Sequence, residues 1–92
     1  MGITDAGWNH KLRVLCAHIK ETGGTISERL KLARYRRKQT VKEVAEASGI
    51  SRRTIQYWEE SGADAAGVFL IGCLAQYYGV SLEWLVFGKE NE

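Results

Sequence analysis

Two adjacent arginines, Arg52 and Arg53, are followed in this 92-residue chain by Gln56 and Tyr57. A guanidinium group can donate two hydrogen bonds to O6 and N7 of guanine, and a glutamine amide can pair with N6 and N7 of adenine. Both arginines fall in the first turn of a predicted helix, where positive charge opposes the helix dipole. This local cost favours an external anion nearby, although ordinary solvated surface is the alternative for the pair.

The spacing of the apolar residues predicts which side of this helix faces inward. Ile55 and Trp58 lie three positions apart and define the buried side. The residues predicted on the open side are Arg52, Arg53, Gln56, Tyr57 and Glu60. Half-buried packing is the alternative for Tyr57.

Residues 41–60, VKEVAEASGISRRTIQYWEE, follow the plan of two short helices joined by a turn. Ala45 is small enough for a second helix to cross over it, and Gly49 can adopt the left-handed conformation of the turn. Val44 and Ile50, together with the two apolar residues of the second helix, provide a core that holds the helices at one angle. The segment therefore predicts a helix-turn-helix.

The elements around this segment are also predicted to be helical. Periodicity and capping residues predict helices over 5–22, 26–38, 41–48, 52–61, 68–78 and 82–86. Thr25 with Glu28 and Thr40 with Glu43 form capping boxes, and Ser51 and Ser81 are further N-caps. No strand pattern competes, so the predicted fold class is all-α.

Facing can be predicted for three of these helices. In 5–22, an apolar stripe is formed by Trp8, Leu12, Leu15 and Ile19. It must pack on the same domain, on a second copy or on another protein. In 26–38, Leu30 and Ala33 are predicted inward, and the predicted outward residues are Arg29, Lys31, Arg36, Arg37 and Lys38. Helix 68–78 is apolar enough to be largely buried. Its residues Tyr77 and Tyr78 are predicted to lie in the core, as is Trp84 of helix 82–86.

Composition narrows the possible classes of protein. Residues 25–60 hold nine Lys and Arg against five Asp and Glu, whereas residues 61–92 hold one against four. A basic middle favours one face that meets an anion. Cys16 and Cys73 fit no metal or redox spacing and are expected to be reduced, packed thiols, and His10 and His18 are too far apart for a helical metal pair. No apolar run is long enough to cross a membrane.

Residues 26–88 resemble the DNA-binding domain of the phage-repressor and Cro family, the lambda-repressor-like helix-turn-helix proteins. The segments SERLKLAR, TVKEVAEASGISRRTIQYWEES and GVSLEWLVFG carry the resemblance, in order and at the right separations. The resemblance implies a compact five-helix domain, here with an additional N-terminal amphipathic helix. It also implies that helix 52–61 enters the major groove.

The resemblance assigns roles to individual residues. Base reading is implied for Arg52, Arg53, Gln56 and Tyr57. Phosphate binding is expected from Thr40, Val41, Lys42, Ser51, Thr54, Arg37 and Lys38. Arg34 and Glu59 match a buried salt bridge, and dimer contacts are expected at Leu82, Leu85 and Phe87.

Four positions or segments depart from the family pattern. Val41 replaces a glutamine that braces a backbone contact. Lys38 and Gln39 replace Gly-Leu, which predicts a thinner core at that corner. The loop SGADAAG carries an aspartate and no cation, and residues 1–24 lie outside the pattern.

The sequence supports two hypotheses of function. The first is a non-enzymatic, sequence-specific transcriptional regulator of bacterial or phage origin, expected to be a repressor. It is expected to be cytoplasmic and nucleoid-associated and to bind double-stranded DNA as a homodimer on an inverted repeat. The second is a protein-interaction module, similar to an antitoxin or co-regulator, in which helix 5–22 docks a partner. No membrane, metal, cofactor or small-molecule ligand is expected. The predicted organisation is an extra helix with a Gly-Gly hinge over 1–24, the DNA-binding domain over 25–88 and a frayed tail over 89–92.

Overall fold

A computed structural model describes residues 5–61 and 68–88, which form six α-helices. They are α1 (Asp5–Thr22), α2 (Ile26–Arg36), α3 (Val41–Ser48), α4 (Arg52–Ser61), α5 (Val68–Tyr78) and α6 (Leu82–Phe87). The described residues contain no strand, so the all-α prediction is confirmed. The predicted tail and residues 62–67 of the predicted loop lie outside the described residues.

Local side-chain hydrogen bonds begin the helices where the sequence predicts them. Thr25 caps α2 and Thr40 caps α3, and in both capping boxes the glutamate three residues on bonds back to the cap N–H group. Ser81 accepts from the Trp84 N–H group at 3.0 Å and caps α6. Such caps satisfy N–H groups that have no partner within the helix, which is why helix starts can be predicted from sequence.

The end of α2 differs from the prediction. The helix ends at Arg36 rather than at residue 38, because Lys38 adopts a left-handed backbone with φ of 55°. The Lys38 N–H group donates to the Tyr35 carbonyl at 2.9 Å and closes a tight turn. At the other end of the chain, α6 continues one residue beyond the prediction, to Phe87, and the left-handed Gly88 ends it.

Helix α1 packs against α2 through its predicted apolar stripe. Trp8 is buried, and its ring lies 5.8 Å from the Tyr35 ring, centroid to centroid. Leu12, Leu15 and Ile19 are partly buried against the core. The stripe therefore packs within the same chain, although the predicted boundary between residues 24 and 25 stays a prediction.

The main core joins the other five helices. Its members are Leu30, Leu32, Ala33, Val44, Ile50, Ile55, Trp58, Ile71, Leu74, Ala75, Tyr78, Trp84 and Leu85. Tyr78 and Trp84 are core residues as predicted, whereas Tyr77 is half-buried. Burial raises the pKa of the Tyr78 hydroxyl, which has no hydrogen-bond partner within the described part of the chain.

Three predictions of burial are wrong. Arg29 was predicted outward, yet it is buried because its guanidinium group donates to carbonyl oxygens at the end of α6. Helix α5 is buried on one side only: Phe69 is 79% exposed and the Cys73 thiol is exposed rather than packed. The exposed side of α5 could not be predicted from the sequence, because apolar residues occur on both sides of the helix.

Candidate nucleic-acid interface

Helix α4 has one buried side and one polar side that faces solvent. Ile55, Trp58 and Glu59 are buried in it. The exposed residues are Arg52, Arg53, Gln56, Tyr57 and Glu60, as the spacing predicts. The four residues predicted to read bases therefore share one solvent-facing surface, here called the α4 outer face. About half of the Tyr57 surface is exposed, which is more than a packed tyrosine would retain.

The turn between α3 and α4 holds this surface at one angle. Gly49 has φ of 79° and its N–H group donates to the Ala45 carbonyl at 3.0 Å, which ends α3. Val44 and Ile50 are buried between the two helices. A residue with a β-carbon would be strained at that φ, so glycine suits the turn.

A buried ion pair ties α4 to α2. Arg34 donates from Nε and Nη2 to the two carboxylate oxygens of Glu59, both at 2.8 Å, and from Nη1 to the Gln39 carbonyl at 2.9 Å. Burial alone would lower the pKa of Arg34, but the hydrogen bonds and charge of Glu59 raise it above the usual arginine value. The pair is therefore ionised and bidentate, a geometry that fixes orientation as well as distance. The pair positions α4 from its inner side, through Glu59, and involves none of the residues of the outer face.

Ser27 adds a second tie between the same two helices. Its hydroxyl donates to the Trp58 carbonyl at 2.8 Å, near the end of α4. That carbonyl belongs to the last turn, whose oxygens have no partner within the helix. The sequence carried no signal for this contact, because 31 residues separate the two positions.

The start of α3 combines a capped helix end with polar side chains. The Thr40 N–H group donates to Glu43 Oε1 at 2.9 Å, and the Glu43 N–H group donates to Thr40 Oγ1 at 3.2 Å. The hydrogen bond from the Thr40 backbone lowers the pKa of Glu43. Since Thr40 Oγ1 accepts from α3, its own proton remains available to a phosphate oxygen.

The basic run at the end of α2 lies beside this helix start and is exposed. The Arg37 guanidinium lies 4.8 Å from the Tyr77 ring centroid, and its Nε donates to Gln39 Oε1 at 3.4 Å. The same Gln39 oxygen accepts from the Tyr77 hydroxyl at 2.8 Å. The corner that was predicted to have a thin core contains this polar network, which orients Arg37.

The residues predicted to bind phosphate differ in exposure. Those that are exposed are Arg37, Lys38, Lys42 and Ser51, and those that are half-buried are Thr40, Val41 and Thr54. Ser51 caps α4: it accepts from the Thr54 N–H group at 3.2 Å, and the two hydroxyl oxygens are 2.8 Å apart. All seven lie at the ends of α2, α3 and α4 that border the turn or the basic run.

The residues predicted to form a dimer contact do not share one surface. Leu82 is exposed and Phe87 is 72% exposed, but Leu85 is completely buried. Leu85 belongs to the core, so its side chain offers no surface to a second copy and that part of the prediction is wrong. The reason is that α6 is short and amphipathic, and Leu85 lies beside Trp84 on its inner side.

Residues 5–61 and 68–88 also bear on metal ligation and membrane crossing. There, no three histidine, cysteine or acidic side chains lie close enough together to share a metal ion. Within the same residues, no helix has both the length and the apolarity needed to span a bilayer.

Two short helices, a left-handed glycine turn and a polar outer face make the segment a helix-turn-helix. Residues 40–62 match the sequence model of a family described as MerR family regulatory protein. The match covers α3, the turn and α4, and it indicates a DNA-binding helix-turn-helix regulator without singling out the phage-repressor and Cro type. Comparisons with curated proteins and with solved structures gave no match.

Proposed function

We propose that this protein is a sequence-specific DNA-binding repressor of the phage-repressor and Cro type, with α4 in the major groove. The observation that carries the proposal is the division of α4. Its inner side is held by Trp58 and by the Arg34–Glu59 pair, and its outer face presents Arg52, Arg53, Gln56 and Tyr57 to solvent. A rigid helix with outward arginine and glutamine side chains has the geometry that base readout requires.

Phosphate contacts at the start of α3 and the end of α2 would orient α4 on the duplex. The Thr40 hydroxyl and the cations of Arg37, Lys38 and Lys42 provide donors and positive charge on adjacent surfaces. Such contacts fix register but carry no sequence information. They also make affinity fall as salt concentration rises, because bound counterions are released from DNA.

A homodimer on an inverted repeat completes the proposal. One recognition helix reads too few base pairs for useful specificity, and two-fold symmetry doubles the site. Leu82 and Phe87 support a contact at α6, because both leave apolar surface exposed there. With Leu85 buried, that contact rests on the remaining two side chains.

Selection of bound duplexes from a random DNA library tests this function. We expect an enriched two-fold motif whose half-sites are separated by about one helical turn of DNA. Replacing Arg52 and Arg53 together with alanine should remove the motif preference, at about 1–3 kcal/mol of discrimination for each bidentate arginine. Circular dichroism would establish that the double variant is folded.

Arg13→Ala is the matched control, because Arg13 is exposed on α1 and lies outside the proposed interface. It should keep the motif and nearly all affinity. An unchanged motif in the double variant would refute the proposed readout. No enrichment with the wild-type chain would refute DNA binding itself and favour the interaction module.

A further inference from the structure

A groove runs between α1 and α2 on a part of the chain that the DNA-binding proposal does not use. Trp8 meets Tyr35 at one end of the helix pair, and His18 Nε2 contacts the Glu28 carboxylate at the other. The two helices are therefore antiparallel neighbours. The groove has a volume of about 540 Å³ and is lined by His10, Lys11, Val14, Leu15, His18, Lys31 and Tyr35.

The floor of the groove is apolar. Val14 is 57% exposed, and Leu15 and Tyr35 are half-buried beside it. A single exposed valine is ordinary on a protein surface. Here it lies in a concave seam next to two other apolar groups, which is the arrangement into which an amphipathic helix places its apolar side chains.

The rim of the groove is basic. Lys11 and Lys31 line it from opposite helices, with His10 and His18 at positions four residues before and after Val14. None of the lining residues carries a carboxylate. Glu28, which lies beyond one end, is engaged by His18. A ligand with negative charge on its flanks would complement this rim.

Aromatic rings hold one of the rim cations in place. Lys11 Nζ lies 5.6 Å from the Trp8 ring centroid and 5.3 Å from the Tyr35 ring centroid. These contacts leave the ammonium donors free to turn toward an acidic group, and they reduce the entropy that Lys11 loses when it binds one. The charge is therefore positioned before any ligand arrives.

The dimensions favour a short helix as the occupant. From His10 to His18 the groove follows α1 for about 12 Å, the length of two to three helical turns. All lining residues come from α1 and α2, so none of the predicted base-reading residues takes part. The apolar floor distinguishes the groove from a phosphate-binding surface, which would gain nothing from an exposed valine beside a half-buried leucine.

We propose that this groove binds an acidic amphipathic helical segment of a partner protein. The apolar residues of the segment pack on Val14, Leu15 and Tyr35, and its carboxylates pair with Lys11 and Lys31. The site is independent of the α4 outer face, so it gives the chain a means of contacting a second protein that does not rest on the proposed DNA function. It also gives α1 a role beyond packing on α2.

A selection experiment with the full chain tests the proposal. A library of random 16-residue peptides displayed on phage is selected against the immobilised protein, and enriched peptides are synthesised and titrated by fluorescence anisotropy. We expect enriched peptides with apolar residues at helical spacing and flanking Asp or Glu. Binding should weaken with salt, and a peptide with its Glu residues changed to Gln should bind about tenfold more weakly or not at all.

Variants of the chain locate the site. Lys11→Glu combined with Lys31→Glu should weaken peptide binding by about tenfold or more, because attraction becomes repulsion on both walls. Val14→Ser tests the floor without altering charge and should weaken binding by about threefold to tenfold. Lys20→Glu is the matched control, since Lys20 is exposed on the same helix but does not line the groove. It should change binding less than twofold, and circular dichroism confirms the fold of each variant.

Several results would overturn the proposal. They are the absence of any enriched peptide, enrichment of peptides that lack acidic residues, and equal effects of the groove variants and of Lys20→Glu. If the double groove variant fails to fold, an unchanged affinity in Val14→Ser would be decisive against the site. Loss of self-association in the groove variants, measured by sedimentation, would identify a second copy of this chain as the occupant instead.

Discussion

Helix α2 carries two buried arginines that fasten it to different neighbours by different chemistry. Arg34 is 8% exposed and binds a carboxylate on α4, whereas Arg29 is 5% exposed and binds backbone carbonyls at the end of α6. Both are among the few polar side chains buried in the described residues. They differ in what replaces water around the charge.

The Arg34 site neutralises one full charge with another. Glu59 is itself buried, so removing either partner strands an ion in the interior. The Arg29 site is held by partial charges instead: Nε donates to the Leu85 carbonyl at 2.8 Å and Nη2 to the Val86 carbonyl at 2.9 Å. Burial lowers the pKa of Arg29 below the usual arginine value, and the charge of the nearby Glu28 offsets this effect only in part.

A buried arginine can therefore act as a helix cap from another element, as Arg29 does for α6. The carbonyls in the last turn of α6 lack partners within their own helix, and a cation there also complements the helix dipole. Arg29 Nη1 further reaches the Gly23 carbonyl at 3.4 Å, at the end of α1. One side chain thus links the ends of α1 and α6 to α2, while Arg34 links α2 to α4.

Replacing Arg34 with methionine should give the largest effect. The variant leaves Glu59 buried without its partner, so we expect a loss of about 3–5 kcal/mol in the free energy of unfolding. Urea denaturation followed by circular dichroism measures it. Arg36→Met is the matched control, because Arg36 lies on the same helix and is exposed. A loss below about 1 kcal/mol for Arg34→Met would contradict a buried, ionised pair.

The double variant Arg34→Met with Glu59→Met tests whether the cost of Arg34→Met comes from the charge left on Glu59. Because no charge is then stranded, we expect it to be more stable than Arg34→Met alone, by about 3 kcal/mol or more. DNA binding by this variant would report whether α4 needs the ion pair for its orientation, or whether the two residues only neutralise each other's buried charge. Equal stability of the single and double variants would show that Glu59 finds other compensation.

Replacing Arg29 with methionine should cost less, about 2 kcal/mol, because its partners are carbonyls that water can reach once the helix end loosens. Amide hydrogen exchange should accelerate in α6 more than in α4, since only α6 loses its external cap. Arg29→Lys keeps the charge but loses the planar guanidinium group. Its free energy of unfolding should therefore lie between those of the wild type and Arg29→Met. A cost equal to that of Arg34→Met would remove the distinction between the two sites.

The exposed end of α2 provides a smaller, stabilising change. Lys38 has φ of 55°, a conformation that costs a residue with a β-carbon about 1 kcal/mol relative to glycine. Lys38→Gly should therefore raise the unfolding free energy by about that amount, as measured by urea denaturation. Lys38→Ala removes the same charge and keeps the strain, so it isolates the backbone effect. If the two variants are equally stable, the left-handed turn carries no strain.

The capping box of α3 should give the smallest effect, visible as a pH dependence. The pKa of Glu43 is lowered in the folded chain, so its contribution to stability is present above the unfolded pKa and is lost as the pH falls through the folded one. Glu43→Gln should flatten this part of the stability curve in acid titrations of unfolding. An unchanged acid dependence in the variant would show that other carboxylates dominate the acid response.

Local features were predicted well because their causes lie within a few residues. The capping boxes at Thr25 and Thr40 are confirmed, and so is the turn at Gly49. The inward side of α4 follows from the spacing of Ile55 and Trp58 alone. The partners of Arg34 and Glu59 were suggested by a family resemblance and not by spacing, since 25 residues separate them.

The errors have a common origin in distant contacts. Arg29 looked like a solvated cation because its carbonyl partners lie 56 and 57 residues away and carry no sequence signature. The hydrogen bond between Gln39 and Tyr77 was missed because 38 residues separate the two positions. Leu85 was assigned to a surface that its neighbours in the fold had already covered.

Local sequence was enough to predict where the helices begin, which side of α4 is apolar, and that a glycine turn joins α3 to α4. These depend on short-range hydrogen bonds and on side-chain periodicity, which are local properties of the chain. Three other features depend on tertiary contacts: the burial of Arg29, the exposure of individual α6 residues, and the basic groove with an apolar floor between α1 and α2. Those outcomes depend on which carbonyls, rings and cations meet across long separations, and backbone groups that act as partners look the same at every position of a sequence.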